Sequence, residues 1–270
     1  MNIGFFTDTY QKGHSGVERS MDTFKEQLEK EGHNVYIFAP LDDTRINSAE
    51  ENAQGIYRLQ AMSQDFFPEF KMTFPISTKV FKNFGNFNLD VIHSHTPFIM
   101  GLYANFVGFA LNIPVVHTYH TFYEKYTGHS FISNREKADQ FIMKMVTNIT
   151  VLHSGRCDHT IVPSIKMKKV LEKYDIQNEI SVIPTGLNIN EFSNIDSTAF
   201  REQMNIPKDK KIVLCLGRIA REKNLKFLVD VAHKLKQKRN DFVLVFVGKG
   251  PEEDILKEYT KELAAEDVVT

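Results

Sequence analysis

The sequence predicts an α/β protein built from two doubly wound domains with parallel sheets, the second of them incomplete. Three observations carry this expectation. Short apolar runs alternate with amphipathic stretches of helical length along the whole chain. Glycines stand where several of those runs end: Gly13 and Gly16, Gly217, and Gly248 and Gly250. After Asn188 the strand–helix–strand order starts afresh. Such alternation calls for parallel strands with helices on both sheet faces.

The first run, 2–7 (NIGFFT), suits a buried parallel strand. After the loop TDTYQKGHSGVERS, Val17, Met21, Phe24 and Leu28 fall at helical spacing. Gly32 closes that helix, and 35–40 (VYIFAP) is the second strand. Residues 41–88 are rich in Phe and polar residues and show no regular pattern. Strands resume at 89–95 (LDVIHSH) and 113–120 (IPVVHTYH), with an apolar helix over about 99–111 between them. A long helix covers about 134–152 and a short strand 160–164. A helix starting at Ser164 runs to 174, and a strand covers 180–186. These make a first domain of residues 1–190.

In the second domain, 191–270, a short helix at 198–204 is broken by Pro207. The strand 211–218 (KIVLCLGR), a helix at 224–238 and the strand 241–248 form a new βαβ unit. A helix at 251–265 leads into 268–270 (VVT), the opening of a third strand. A doubly wound domain normally has five or six strands, so the natural protein is expected to continue past Thr270.

Composition narrows the function. Of 270 residues 42% are hydrophobic and 25% charged, the balance of a globular protein. Residues 1–190 carry 18 basic and 20 acidic residues, and 191–270 carry 15 and 14. Neither part has the positive excess that nucleic-acid binding needs. Cys157 and Cys215 lie 58 positions apart, which is neither a disulfide framework nor a metal spacing. Cys215, inside KIVLCLG, reads as a buried structural thiol. No apolar stretch approaches the ~20 residues that span a bilayer, the N-terminus does not read as a signal peptide, and the expected location is the cytoplasm. The helix SIKMKKVLEKY sets Ile165, Met167, Val170, Leu171 and Tyr174 against Lys166, Lys168, Lys169 and Lys173. That pattern suits either an anionic membrane surface or packing on the sheet.

Four segments stand at strand ends, where such folds bind ligands. Gly16 opens a helix, where free amides favour a phosphate, although the loop lacks the full G-x-G-x-x-G of a dinucleotide fold. That gap argues against an oxidoreductase. His93 and His95 end one strand, and His117 and His120 the next. No carboxylate or Cys completes a metal set with them, so hydrogen bonding to hydroxyls and to a reacting oxygen is the favoured reading. His93 and His117, nearer the strand interiors, also fit as core histidines. Arg218 and Lys223, in LGRIAREKN, suit a diphosphate and its charge as it leaves. A solvated basic turn is the plainer alternative. Gly248 and Gly250, in FVGKGPEED, suit the close approach of a nucleotide.

Taken in order, the glycine loop, H-x-H-x-P, Y-H-T, V-P-S, V-I-P-T-G-L-N, L-G-R…E-K-N and V-G-x-G-P resemble glycosyltransferase family 4, whose fold of two Rossmann-like domains is called GT-B. The pair HSHTPFIMG and HTYHTFYEKY looks most like the bacterial diacylglycerol glucosyltransferases. The resemblance implies a retaining, metal-independent transfer of a hexose, glucose in that subgroup, from a UDP-sugar to a lipid or other hydroxyl acceptor, without a bound cofactor. It implies that the Gly16 amide meets the donor phosphate and that His120 contacts the transferred sugar. Arg218 and Lys223 would hold the diphosphate, and Gly248 and Gly250 would lie beside the nucleotide. His95, Tyr119 and Tyr123 would line the acceptor side. Ser15-Gly16 replaces the family's usual glycine pair. The family's E-x7-E donor motif has no match up to residue 270, which leaves a non-catalytic, acceptor-binding fragment as the alternative.

Overall fold

The structure is a computed structural model that describes residues 1–11, 15–41, 49–59, 84–122, 136–174, 176–193, 196 and 198–270. The chain divides into two compact units, with the break between Asn188 and Ile189.

The first unit holds one parallel sheet of seven strands: β1 Asn2–Phe6, β2 Asn34–Pro40, β3 Ile56–Leu59, β4 Val91–Ser94, β5 Val115–Thr118, β6 His159–Val162 and β7 Glu179–Val182. Their order is β3-β2-β1-β4-β5-β6-β7. The sequence pattern foretold six of them. The seventh, β3, falls in the stretch read as irregular, as does the short helix α2, Ala49–Ala53. Helix α1, Gly16–Lys30, starts in a capping box: the Glu18 amide donates to the Ser15 hydroxyl, and the Ser15 amide to the Glu18 carboxylate. Helices α3, Ile99–Leu111, α4, Glu136–Ser154, and α5, Ile165–Glu172, connect β4 through β7.

Strand side chains alternate between the faces, and the register sorts them into two cores. Phe5 pairs with Ile37 and His93, and Phe6 with Phe38 and Ser94. Ile3, Phe5 and Ile37 pack with Met21 of α1. Phe6, Phe38 and Ile92 pack on the other face with Met100, Tyr103 and Val107 of α3. Phe5 and Phe6 are fully buried, each contributing about 2–3 kcal/mol. On the α3 face Val146 of α4 and Met167 and Leu171 of α5 pack with Val162 and Ile180. The lysine-bearing helix thus uses Met167 and Leu171 to pack on the sheet. It leaves Ile165, Lys166, Lys169 and Lys173 exposed, while Lys168 Nζ donates to the Ile180 carbonyl at 2.7 Å. Ser164 caps it by accepting from the Met167 amide.

In the second unit α6, Thr198–Gln203, precedes β8, Lys211–Leu216, which pairs in parallel with β9, Phe242–Val247. Between them runs α7, Leu225–Lys236, and after β9 comes α8, Glu253–Glu262. Val269 makes a parallel bridge to Leu244, on the side of β9 away from β8. Val213, Leu214 and Leu216 of β8 are half exposed or more. Cys215 is only half-buried, less enclosed than its apolar run suggests.

Candidate active site

In the first unit the chain turns one way from β1 to β2 and the other way from β4 to β5, so β1 and β4 flank the switch point where doubly wound sheets bind ligands. The loops leaving these two strands are tied together there. The Asp8 amide donates to Thr96 Oγ1 at 2.9 Å, and that hydroxyl donates to the Asp8 carboxylate. The same carboxylate accepts from the Met100 amide at 3.0 Å and so caps α3, which has no side-chain cap of its own. Burial pushes the Asp8 carboxyl up to about 6, against the opposing pull of Thr96 and of the Met100 and Ile99 amides. A Cβ on Gly101 would sit 2.2 Å from the Thr96 carbonyl oxygen, so only glycine lets α3 approach this closely.

The histidines do not converge on one cleft. His93 shares the α1 face with Phe5, and His95 and His120 extend that row. The His93 and His95 centroids are 4.1 Å apart, and the His120 ring lies nearly parallel to His95, at 5.3 Å and 20°. Phe5 and Phe24 close against them. His95 Nδ1 lies 3.0 Å from His120 Nε2, and His93 Nε2 lies 2.7 Å from the Thr118 hydroxyl. His117, in register with Ser94, faces the opposite side. There the Ser94 hydroxyl bridges His117 Nδ1, at 3.1 Å, and His153 Nε2, at 2.8 Å. His153, from the last turn of α4, has no signal in the sequence that ties it to Ser94.

Burial lowers all five rings. His93 and His153 fall to about 3 and His120 to about 4, while His95 and His117 fall well below the ordinary value. The five are therefore neutral at pH 7. His120 is the one of them with appreciable exposure. His95 is fully buried behind it. Tyr119 is buried as well, packed on the α3 face with Val146 and Val162, so the structure puts its ring in the core and not on an acceptor side. Tyr123 lies outside the described residues, as does Gly13.

Gly16 is exposed at the first position of α1, with no atom within 4 Å of a Cβ built on it. Its amide and that of Val17 make no hydrogen bond among the described residues. The Glu18 carboxylate at this helix start also accepts from the Gln11 amide at 2.9 Å. The S-x-x-E spacing that announces this cap is present at 15–18.

In the second unit the loops after β8 and β9 cross backbone to backbone. Gly217 donates to the Val247 carbonyl, Ile219 to that of Lys249, and Glu252 back to Ile219. Gly248 has φ 153°, and a Cβ there would lie 1.9 Å from the Gly217 carbonyl oxygen. At Gly250 it would lie 2.1 Å from that of Ile219. The crossing itself requires both glycines, whatever ligand they meet. Arg218 Nη2 donates to Glu222 Oε1 at 2.9 Å. Burial raises the Glu222 carboxyl, but this hydrogen bond and the charges of Arg218 and Lys223 hold it below its ordinary value. Lys223 is exposed, in a 3-10 turn over Arg221–Lys223. Among the described residues no group of three His, Cys, Asp or Glu side chains is placed to hold a metal ion.

Two family models cover these units: Glycosyltransferase Family 4 matches residues 14–191, and Glycosyl transferases group 1 matches 196–270. The chain belongs to glycosyltransferase family 4. It is 34% identical over its whole length to the alpha-monoglucosyldiacylglycerol synthase of Streptococcus pneumoniae, of which it covers 60%. It is 28% identical to the synthase of the same name from Acholeplasma laidlawii, with 95% of this chain and 65% of that protein aligned. The chain thus spans under two thirds of each relative. Among solved structures, Anabaena HepE in complex with UDP and glucose matches all of this chain and 68% of its own, with a TM-score of 0.71 at 16% identity. That likeness carries the GT-B fold. Within this family 4 member, the expected site residues divide between the units: Gly16, His95 and His120 in the first, Arg218, Lys223, Gly248 and Gly250 in the second.

Proposed function

We propose that this chain is the acceptor-side domain and the start of the donor-side domain of a retaining hexosyltransferase. The enzyme moves glucose from UDP-glucose to a diacylglycerol-like lipid at an anionic membrane surface. The observation that carries the reading is the identity along the whole chain with a protein named alpha-monoglucosyldiacylglycerol synthase. HepE, of the same fold, was solved with UDP and glucose, which favours the same donor chemistry here. In this reading the Gly16 amide at the α1 start meets a donor phosphate. His120 hydrogen-bonds the transferred sugar, and Arg218 and Lys223 neutralise the leaving diphosphate in place of a metal. Arg218 then exchanges its bond to Glu222 for the phosphate oxygens. No described helix is long and apolar enough to cross a membrane, so contact runs through exposed side chains such as Ile165, Lys166, Lys169 and Lys173.

The test uses the full-length protein that contains this chain. UDP-glucose and GDP-mannose are offered with diacylglycerol or with a water-soluble alcohol, with and without EDTA. Glucose appearing on diacylglycerol in the α configuration, at a rate EDTA leaves unchanged, is the expected result. Transfer from GDP-mannose alone refutes the donor. A β product refutes retention, and loss of activity in EDTA restored by Mn²⁺ refutes the metal-free site.

A further inference from the structure

His95 and His120 are both neutral, and their facing nitrogens are 3.0 Å apart. Two neutral imidazoles in that geometry share one hydrogen: one ring donates and the other accepts. The other nitrogen of His95 decides which. His95 Nε2 is buried and has no hydrogen-bond partner among the described residues; the ring sits against Phe5 and Phe24. If His120 donated, His95 would have to carry its hydrogen on that enclosed Nε2, leaving a buried N–H donor unpaired. Orphaned buried N–H groups are rarer than under-satisfied acceptors.

From this we infer that His95 is a positioning residue that donates from Nδ1 to His120 Nε2 and so fixes the hydrogen of His120 on Nδ1. His120, the partly exposed ring of the pair, then has an N–H donor and not a basic lone pair to offer a ligand at the strand ends. Its partner is an oxygen acceptor, such as a sugar hydroxyl or the oxygen of the bond being broken. Packing of His93, Phe5 and Phe24 against the pair sets the ring planes and maintains the lock. Burial keeps both rings neutral, so the pair is not charged on both rings, which would set two donors against each other.

The inference builds on the placement of His120 in the sugar site, but its first test needs no turnover. Imidazole ¹⁵N spectra of the full-length protein at pH 7.5 should show His120 with a pyrrole-type Nδ1 and a pyridine-type Nε2. His95 should show the same pattern. His95→Phe should turn His120 into a mixture of the two tautomers. His95→Asn, whose amide can donate from nearly the same point, should restore the wild-type pattern. In the full-length enzyme His95→Phe should lower kcat about tenfold, the size of one hydrogen bond, with the donor KM within about twofold, and His95→Asn should recover most of it. A wild-type His120 with its hydrogen on Nε2 overturns the inference, and so does a His120 pattern unchanged in His95→Phe. If His95→Phe does not fold, the wild-type spectrum and His95→Asn still decide. Correct tautomers with kcat unchanged in His95→Phe would leave the lock standing and count against His120 acting on the sugar.

Discussion

Acidification should unfold the first unit well above the pH at which carboxylates titrate. In the unfolded chain each histidine binds a proton below about pH 6.5. In the folded chain burial holds His93 and His153 at about 3 and His120 at about 4, and keeps His95 and His117 well below the ordinary value. Between those values the unfolded state holds more protons, so stability is fully present above 6.5 and is lost as pH falls. Going from pH 7 to 5.5, each ring removes roughly 1 kcal/mol or slightly more, and the five together about 6 kcal/mol. Asp8 acts the other way. Its folded value of about 6 lies above that of a free carboxyl, so protonation returns roughly 1 kcal/mol over the same interval. The net loss, about 5 kcal/mol, rivals the whole stability of many domains. Urea unfolding followed by circular dichroism at pH 7, 6.5, 6 and 5.5 measures it. The slope near pH 5.5 should correspond to about four protons taken up on unfolding. A loss under 1 kcal/mol, or histidine resonances titrating near 6.5, would refute the claim that burial holds these rings neutral.

Three further outcomes follow from the site. In the full-length enzyme Arg218→Ala or Lys223→Ala should each lower turnover about a hundredfold, the scale of losing a main electrostatic stabiliser; near wild-type kinetics in both would remove them from the diphosphate site. Gly248→Ala should destabilise the second unit by about 3 kcal/mol, because its Cβ meets the Gly217 carbonyl; unchanged thermal unfolding would contradict the crossing. Replacing Lys166, Lys169 and Lys173 together by Glu should weaken binding to anionic vesicles about a hundredfold, and equal flotation of wild type with neutral and anionic vesicles would count against membrane contact there.

Alternation of apolar runs and helical spacing made most of the fold legible, because buried parallel strands and their crossover helices leave strong local patterns. β3 left none. It is four residues long, and Arg58 in its middle reads as a loop residue. That guanidinium is buried, donating to Glu51 at 2.7 Å and to the Tyr10 carbonyl at 2.9 Å, partners that the local sequence does not reveal. The histidines were visible as a cluster, but their division between two faces depends on the register of β4 against β5, which spacing alone does not give. Ser94 and His153 meet across 59 positions. Gly248 and Gly250 stand out in the sequence, yet the carbonyls that exclude any side chain there come from the loop after the other strand.

The tie between Asp8 and Thr96 also sets an order of events. β1 and β2 are joined by one helix and can meet early, whereas β1 and β4 are neighbours although 88 positions separate Asp8 from Thr96. Closing so long a segment costs chain entropy before any contact repays it. The cap on α3 therefore forms only once that segment has closed. During synthesis Asp8 has neither its hydroxyl partner nor its helix until residue 100 has emerged, so a ligand held at this end of the sheet cannot assist the earlier steps.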